Sequence, residues 1–311
     1  MDILINVAIF VVSLAALLKG ADFFVESAEK IGLSFGISPF VIGATIVGFG
    51  TSLPELASSI AAVYAGASEM IVGNVIGSNV FNIAAALALV AIVSGNVKIE
   101  KDIMTNDIPM LVFSAMLMYF VLADFHISIF EAIILIAGVL IFLLYTLKDD
   151  DDKVDKNKRP KAIGKDYLML LIGVVMVYFG AVYTIEAVVF FAEKMNVSTH
   201  LIGLTVVAFG TSLPEIVVSL AAARQGNASM AVGNVLGSNI FNTFAVLGIP
   251  RLFGPIEINH EIMKFSMPFM VALTVLLGII SISKRITRWE GLLLLLAFAF
   301  YVVEVLKGVL G

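Results

Sequence analysis

Apolar runs of about 20 residues follow one another along nearly the whole chain, each close to the length that crosses a hydrocarbon core of about 30 Å. Their limits predict ten helices, at roughly 3–32, 37–67, 71–95, 103–123, 126–147, 166–192, 197–225, 230–250, 262–283 and 287–308. The single long polar segment runs from Lys148 to Lys165 and contains Asp149-Asp150-Asp151-Asp152-Lys153. It divides the chain into 1–147 and 166–311, with five predicted helices each, and reads as a solvated linker. A calcium-loop reading of the acidic run fails, because the glycine at loop position 6 and the glutamate at position 12 are both missing.

The polar residues inside the apolar runs occur in a pattern that repeats. Gly48-Phe49-Gly50-Thr51-Ser52-Leu53-Pro54-Glu55 returns 160 positions later as Ala208-Phe209-Gly210-Thr211-Ser212-Leu213-Pro214-Glu215. At the same offset, Gly73-Asn74-Val75-Ile76-Gly77-Ser78-Asn79-Val80-Phe81-Asn82 returns as Gly233-Asn234-Val235-Leu236-Gly237-Ser238-Asn239-Ile240-Phe241-Asn242. Two motifs sharing one offset indicate a duplicated unit. Five helices per unit is an odd number, so the second unit enters the membrane from the opposite face. The expected fold is an all-α polytopic membrane protein: ten transmembrane helices as two inverted five-helix repeats, the arrangement of many secondary transporters.

Composition sharpens this picture. The chain is 60% hydrophobic and 14% charged, far from the roughly 25% charged residues of soluble domains. Nothing in it suggests nucleic-acid binding, and no obligatory protein partner is indicated. The absence of cysteine excludes disulfides and thiolate metal sites. The start, Met1-Asp2-Ile3-Leu4, has no basic segment, so the first run reads as a retained helix and not as a cleaved signal.

Grouped by alternate loops, Lys30, Lys98, Lys101, the seven linker cations, Arg224, Lys284, Arg285 and Arg288 fall on one side. Only Lys194, Arg251, Lys264 and Lys307 fall on the other. By the positive-inside rule the linker is cytoplasmic and both termini are extracellular, as in a multi-pass cell-membrane protein.

The repeated motifs carry the chemistry. The predicted helix over 37–67 would span roughly 46 Å at 1.5 Å per residue, more than one straight crossing needs. Pro54 and Pro214 cannot donate to the carbonyls of Gly50 and Gly210, so broken helices near the midplane are expected. Freed carbonyls in hydrocarbon persist only where something positive binds them. Glu55 and Glu215 are buried carboxylates that inverted symmetry would bring together, and they require either protonation or cations between them. With the hydroxyls of Thr51, Ser52, Thr211 and Ser212 they form an all-oxygen set suited to hard cations such as Ca²⁺ and Na⁺. Asn74, Ser78 and Asn82, and likewise Asn234, Ser238 and Asn242, recur every fourth residue on one helical face. They read either as cation and carboxylate partners or as interhelical hydrogen-bond formers. Glu26 and Glu186, also 160 apart, and Asp22 read as interfacial or packing residues; His126, His200 and His260 as solvated; and Trp289 as an interfacial anchor.

G-T-S-L-P-E followed by G-N-x-x-G-S-N-x-x-N, twice, resembles the Ca²⁺/cation antiporter superfamily, specifically its Na⁺/Ca²⁺ exchanger branch. The likeness covers essentially the whole chain. It implies that Glu55 and Glu215 bridge Ca²⁺ and Na⁺, with carbonyl ligands at Gly48, Ala208, Thr51 and Thr211. It further implies hydroxyl ligands from Ser52, Ser212, Ser78 and Ser238, amide ligands from Asn82 and Asn242, and motion of the first and sixth helices against a fixed core. Ca²⁺/H⁺ antiporters usually differ at the Ser-Leu-Pro-Glu stretch. K⁺-dependent exchangers carry Asp where this chain has Asn242, which argues against K⁺ co-transport. The large regulatory domain of animal exchangers has no counterpart here. The function expected is therefore a secondary antiporter, not an enzyme, exchanging Na⁺ for Ca²⁺ without a cofactor. The alternatives are a Ca²⁺/H⁺ antiporter and a cation channel with the same ligands.

Overall fold

The computed structural model describes residues 2–98, 103–148, 159–195 and 210–310. Among these, helices α1 (Asp2–Phe35), α2 (Pro39–Tyr64), α3 (Glu69–Ser94), α4 (103–122) and α5 (Ile129–Lys148) precede the linker. They are followed by α6 (Gly164–Lys194), α7 (Leu213–Arg224), α8 (Ala228–Arg251), α9 (Ile262–Ser281) and α10 (Arg288–Leu310). Among the described residues, eight helices are long and apolar enough to cross a membrane. The apolar part of α4, Ile108–Leu122, is shorter. For α7, the predicted start at 197 lies outside the described residues. The chain is a mostly helical, multi-pass membrane protein.

Burial separates the helices into a core and a periphery. In the most apolar stretch of α8, 94% of residues are buried, and in that of α3, 83%, against 17% in α1 and 11% in α10. The motif-bearing helices are thus central, and the helices without motifs face lipid with Leu, Val and Phe.

Small residues set the closest helix contacts, as expected where lipid removes the hydrophobic incentive and packing must come from backbone approach. On α8, Gly233 lies against the carbonyl of Phe40, and Gly237 against that of Ala44. On α2, Gly43 lies against the carbonyl of Met230. A peripheral pair forms where α1 and α6 run antiparallel: Gly20 meets Met176 and Val177, Leu17 meets Gly180, and Phe24 meets Gly173. Ser13 and Thr184 hydrogen-bond at 2.9 Å, and Lys30 pairs with Asp166 at 2.7 Å near the end of the contact.

Two local features depart from the sequence expectation. The first concerns the helix breaks. Pro54 lies inside a continuous α-helical stretch, Gly48–Tyr64, and the irregularity of α2 is instead a π-helical turn over Gly43–Val47. The wider turn takes up an extra residue and re-aims the helix before the proline. In the second copy the chain turns at 211–212, and Pro214 stands in the first turn of α7, where its missing N–H costs nothing. Further π-helical turns begin at Asn82 and at Asn242, 160 positions apart. The second departure is a short antiparallel strand pair in a chain read as all-helical, β1 (Asn96–Lys98) with β2 (Arg285–Thr287). Gly95, at φ 77°, ends α3 in a conformation that a residue with a side chain rarely adopts, and frees the next three residues to pair.

Candidate functional site

The π-helical turn and the glycines of α2 bring Gly48 to Glu55 against α8, and the turn at 211–212 aims Thr211 and Ser212 at α3. The carbonyl of Gly48 accepts from Ser238 Oγ at 3.1 Å and from Thr51 Oγ1 at 3.2 Å. Thr51 Oγ1 also lies 3.3 Å from Asn234 Oδ1 and 3.4 Å from Ser238 Oγ. Across the site Thr211 Oγ1 donates to Asn74 Oδ1 at 3.0 Å, and Ser212 Oγ to Ser78 Oγ at 3.0 Å. Ser52 Oγ donates to Glu215 Oε1 at 3.2 Å, which ties the two copies of the motif together. Asn82 Nδ2 reaches Asn239 Oδ1 at 3.4 Å.

Both carboxylates are buried: Glu55 is 0% exposed and Glu215 1%. Both oxygens of Glu55, Oε2 of Glu215, Oδ1 of Asn82 and both polar atoms of the Asn242 side chain have no hydrogen-bond partner among the described residues. Leaving so many polar atoms unsatisfied in low dielectric costs about 1–3 kcal/mol for each neutral group and more for a charged one. The arrangement therefore calls for protons on the carboxylates or positive charge between them. The orphaned atoms are nearly all oxygens, the donor type that hard cations take, and no third carboxylate, histidine or cysteine joins them among the described residues.

A crevice of about 380 Å³ between α2, α3 and α6 is lined by Ser59, Ala62, Met70 and Glu186, and by Asn74 and Thr211 of the hydrogen-bonded cluster. The residues 160 positions from Ser59, Ala62 and Met70 are Ser219, Ala222 and Met230, and these are buried to 0%, 1% and 0% exposure. A smaller, apolar crevice of about 260 Å³ shares Pro54, Tyr178 and Pro214 with the first.

Of the residues singled out in the sequence, Gly48, Thr51, Ser52, Glu55, Ser78, Asn82, Glu215, Ser238 and Asn242 fall on these central helices, and Thr211 and Ser212 in the turn just before α7. Ala208 lies outside the described residues, as does His200. Asn74 and Asn234, whose role was open, each accept from a threonine hydroxyl. Glu186 lines the crevice, whereas Asp22 lies 3.8 Å from Lys19, and both side chains are about half exposed. Sequence reasoning passed over Asn79, Asn239 and Thr243, which are buried beside the cluster; Asn79 Nδ2 donates to Thr243 Oγ1 at 3.0 Å. Asn79 stands three residues before Asn82, so helical spacing already placed it near that face.

A family model described as sodium/calcium exchanger protein matches residues 5–148 and 165–307. The chain belongs to this family. It is 36% identical to the sodium/calcium exchanger MaX1 of Methanosarcina acetivorans, over 97% of this chain and 98% of that one. The fold matches a solved structure of the sodium-calcium exchanger NCX_Mj, soaked with 10 mM Na⁺ and zero Ca²⁺, with a TM-score of 0.86 and 32% identity over 97% of this chain and 99% of that one. Over 37% of its length the chain is also 34% identical to the sodium/potassium/calcium exchanger 2 of Gallus gallus.

Proposed function

We propose that this exchanger-family member moves Na⁺ and Ca²⁺ in opposite directions through one shared midplane site, by alternating access. The observation that carries the reading is the buried pair Glu55 and Glu215, with three of its four oxygens unpartnered. Two ionised carboxylates call for about two positive charges. One Ca²⁺ or a set of Na⁺ ions meets that need, and the empty, doubly charged site is penalised from switching between faces. Competition for the same oxygens then couples the two fluxes. Thr51, Ser52, Ser78, Asn82, Thr211, Ser212, Ser238 and Asn242, with the carbonyls of Gly48, Thr51, Ala208 and Thr211, complete the ligand set in this reading.

The reading includes ten crossings in two inverted five-helix repeats, 1–147 and 166–311, joined by the cytoplasmic linker 148–165. Contacts that exchange under the 160-residue shift support it. Ser13–Thr184 becomes Gly173–Phe24, Gly20–Val177 becomes Gly180–Leu17, and Thr51–Asn234 becomes Thr211–Asn74. Such exchange is what a two-fold axis between the halves produces. The cationic loops agree with the orientation: β1 and β2 gather Lys98 and Arg285 at one end, while Arg251 donates to the carbonyl of Ile127 in loops assigned to the opposite face. In that orientation the large crevice opens outward. A crevice at α3–α6, with its duplicate positions Ser219, Ala222 and Met230 buried, favours an antiporter over a channel, which needs a continuous path.

The test is Ca²⁺ uptake into Na⁺-loaded proteoliposomes, with choline, K⁺ or Na⁺ outside and a matched pH-gradient control lacking Na⁺. Uptake is expected to require internal Na⁺, to ignore K⁺, and to fall to background in Glu55→Gln and Glu215→Gln. Near-normal exchange in either variant would remove the site assignment. Uptake driven by pH alone would point to proton coupling, and uptake without a counter-ion gradient to a channel.

A further inference from the structure

Away from the ion cluster, a polar contact joins α1 to the core. Glu29, in the penultimate turn of α1, accepts from Asn227 Nδ2 at 2.8 Å. Asn227 is the N-cap of α8, and its Oδ1 accepts from Met230 N at 3.4 Å. One side chain therefore fixes the start of the helix that carries Asn234, Ser238 and Asn242, and also holds the end of α1. Asn234 follows Asn227 by seven residues, two turns along nearly the same face.

The contact has no counterpart in the other half. Shifted by 160 positions, Glu29 corresponds to Val189 on α6, and Asn227 to Ala67 before α3. Neither side chain can hydrogen-bond. The two regions also differ in packing: α3 and α6 are parted by the 380 Å³ crevice, while next to Asn227 the corresponding residues Ala222 and Met230 are sealed. The closed side has a carboxylate–amide hydrogen bond, whereas the duplicate positions on the open side, Val189 and Ala67, carry apolar side chains.

We propose that Glu29–Asn227 is a conformational latch that holds α1 against the α7–α8 turn and biases the protein toward the state open at the α3–α6 crevice. This rests on the alternating-access reading above. A hydrogen bond made in one of two states shifts their ratio by its full differential free energy, whereas contacts common to both shift nothing. Because the partners are absent from the duplicate positions, the two closures are unequal although the repeat makes their frameworks alike. The latch lies outside the ion ligands and acts by setting the population that exposes them on each side.

The chain has no cysteine, so single reporters can be introduced without background. Ala62→Cys lies in the crevice and Ala222→Cys at the sealed duplicate position. Both would be followed by the labelling rate with a charged maleimide, in the purified full-length protein in detergent. With the latch intact, the first reporter is expected to label fast and the second slowly. Glu29→Ala removes the acceptor and leaves the α8 cap intact; Asn227→Ser keeps a capping hydroxyl but withdraws the amide. Each is expected to raise labelling of Ala222→Cys by about threefold or more, the scale of a partly solvated hydrogen bond to a charged group, and to lower that of Ala62→Cys. The paired substitutions Val189→Glu and Ala67→Asn place the same contact on the other side and are expected to slow labelling of Ala62→Cys. Unchanged rates in both latch variants would overturn the latch, as would a parallel rise at both reporters, which signals loosening and not switching. In the latch-intact protein, Na⁺ and Ca²⁺ are expected to move the two rates in opposite directions. If no ion condition does so, the alternating-access reading falls and the latch falls with it.

Discussion

At the scale of the residue, the site combines two acids with amides and hydroxyls whose lone pairs are left unspent. Asn242 is the informative case, because both of its polar atoms are buried without a partner among the described residues while its duplicate Asn82 donates to Asn239. Substituting Asn242→Asp would place a third acid in a fully buried position, where the charged form is disfavoured unless another cation joins it. At low pH the new acid is protonated and closely mimics the amide, so exchange should resemble that of the parent. As pH rises and the acid ionises, Ca²⁺ uptake should depart from the parent profile. Uptake measured across pH in proteoliposomes checks this, and identical profiles would place Asn242 away from the ions. The carboxylates, prolines and hydroxyls of this cluster were legible in the sequence because they are out of place in apolar runs. Asn79, Asn239 and Thr243 were not, since an amide next to a motif looks the same whether it faces an ion or a neighbouring helix.

At the scale of the element, glycine governs how closely α2 and α8 approach. A Cβ at Gly237 would fall on the backbone of Ala44, and backbone cannot move aside as a flexible side chain does. Gly237→Ala is therefore expected to cost about 1–3 kcal/mol, as overpacking does, and to lower the thermal midpoint of the purified protein together with exchange. Gly278, on α9, supplies the control: its added Cβ would meet only Ile108 and Val112 methyl groups at ordinary contact distance, 3.5 and 3.6 Å. There Ala should be neutral or, through helix propensity, stabilising by up to about 1 kcal/mol. Equal losses in both variants would show that the small residue serves the helix and not the approach. The same elements show where pattern reading stops. Pro54 announces a missing hydrogen bond, yet whether a helix breaks, bends or widens into a π-helical turn depends on what packs against it, here the α8 glycines.

At the scale of the whole molecule, orientation decides what the crevice faces. In the proposed orientation Asp124 is in an outward loop and Lys161 in the cytoplasmic linker, so a membrane-impermeant thiol reagent on intact cells should label Asp124→Cys and spare Lys161→Cys until the cells are opened. The reverse pattern would invert the topology and turn the crevice toward the cytoplasm. Charge movement follows from the same frame. If more than two Na⁺ cross for each Ca²⁺, an inside-negative potential should accelerate Ca²⁺ exit, since each net charge contributes about 2.3 kcal/mol per 100 mV. Flux measured at clamped potentials in vesicles tests this, and a flat response would fix the exchange as electroneutral.

Taken alone, the sequence determined the membrane class, the duplicated unit and the acids at its centre, because hydropathy, a fixed offset and a charge in an apolar run are properties of the chain itself. It also placed Gly48, Ser78 and Ser238 among the site residues by resemblance to a family whose motifs it carries. The tertiary structure decided which duplicate is open and which is sealed. Identical motifs have no way to express that difference, which arises from their surroundings: Asn227 and Glu29 on one side, Ala67 and Val189 on the other. It also decided which polar atoms find partners and which remain for an ion, since satisfaction in low dielectric depends on what stands across the helix interface.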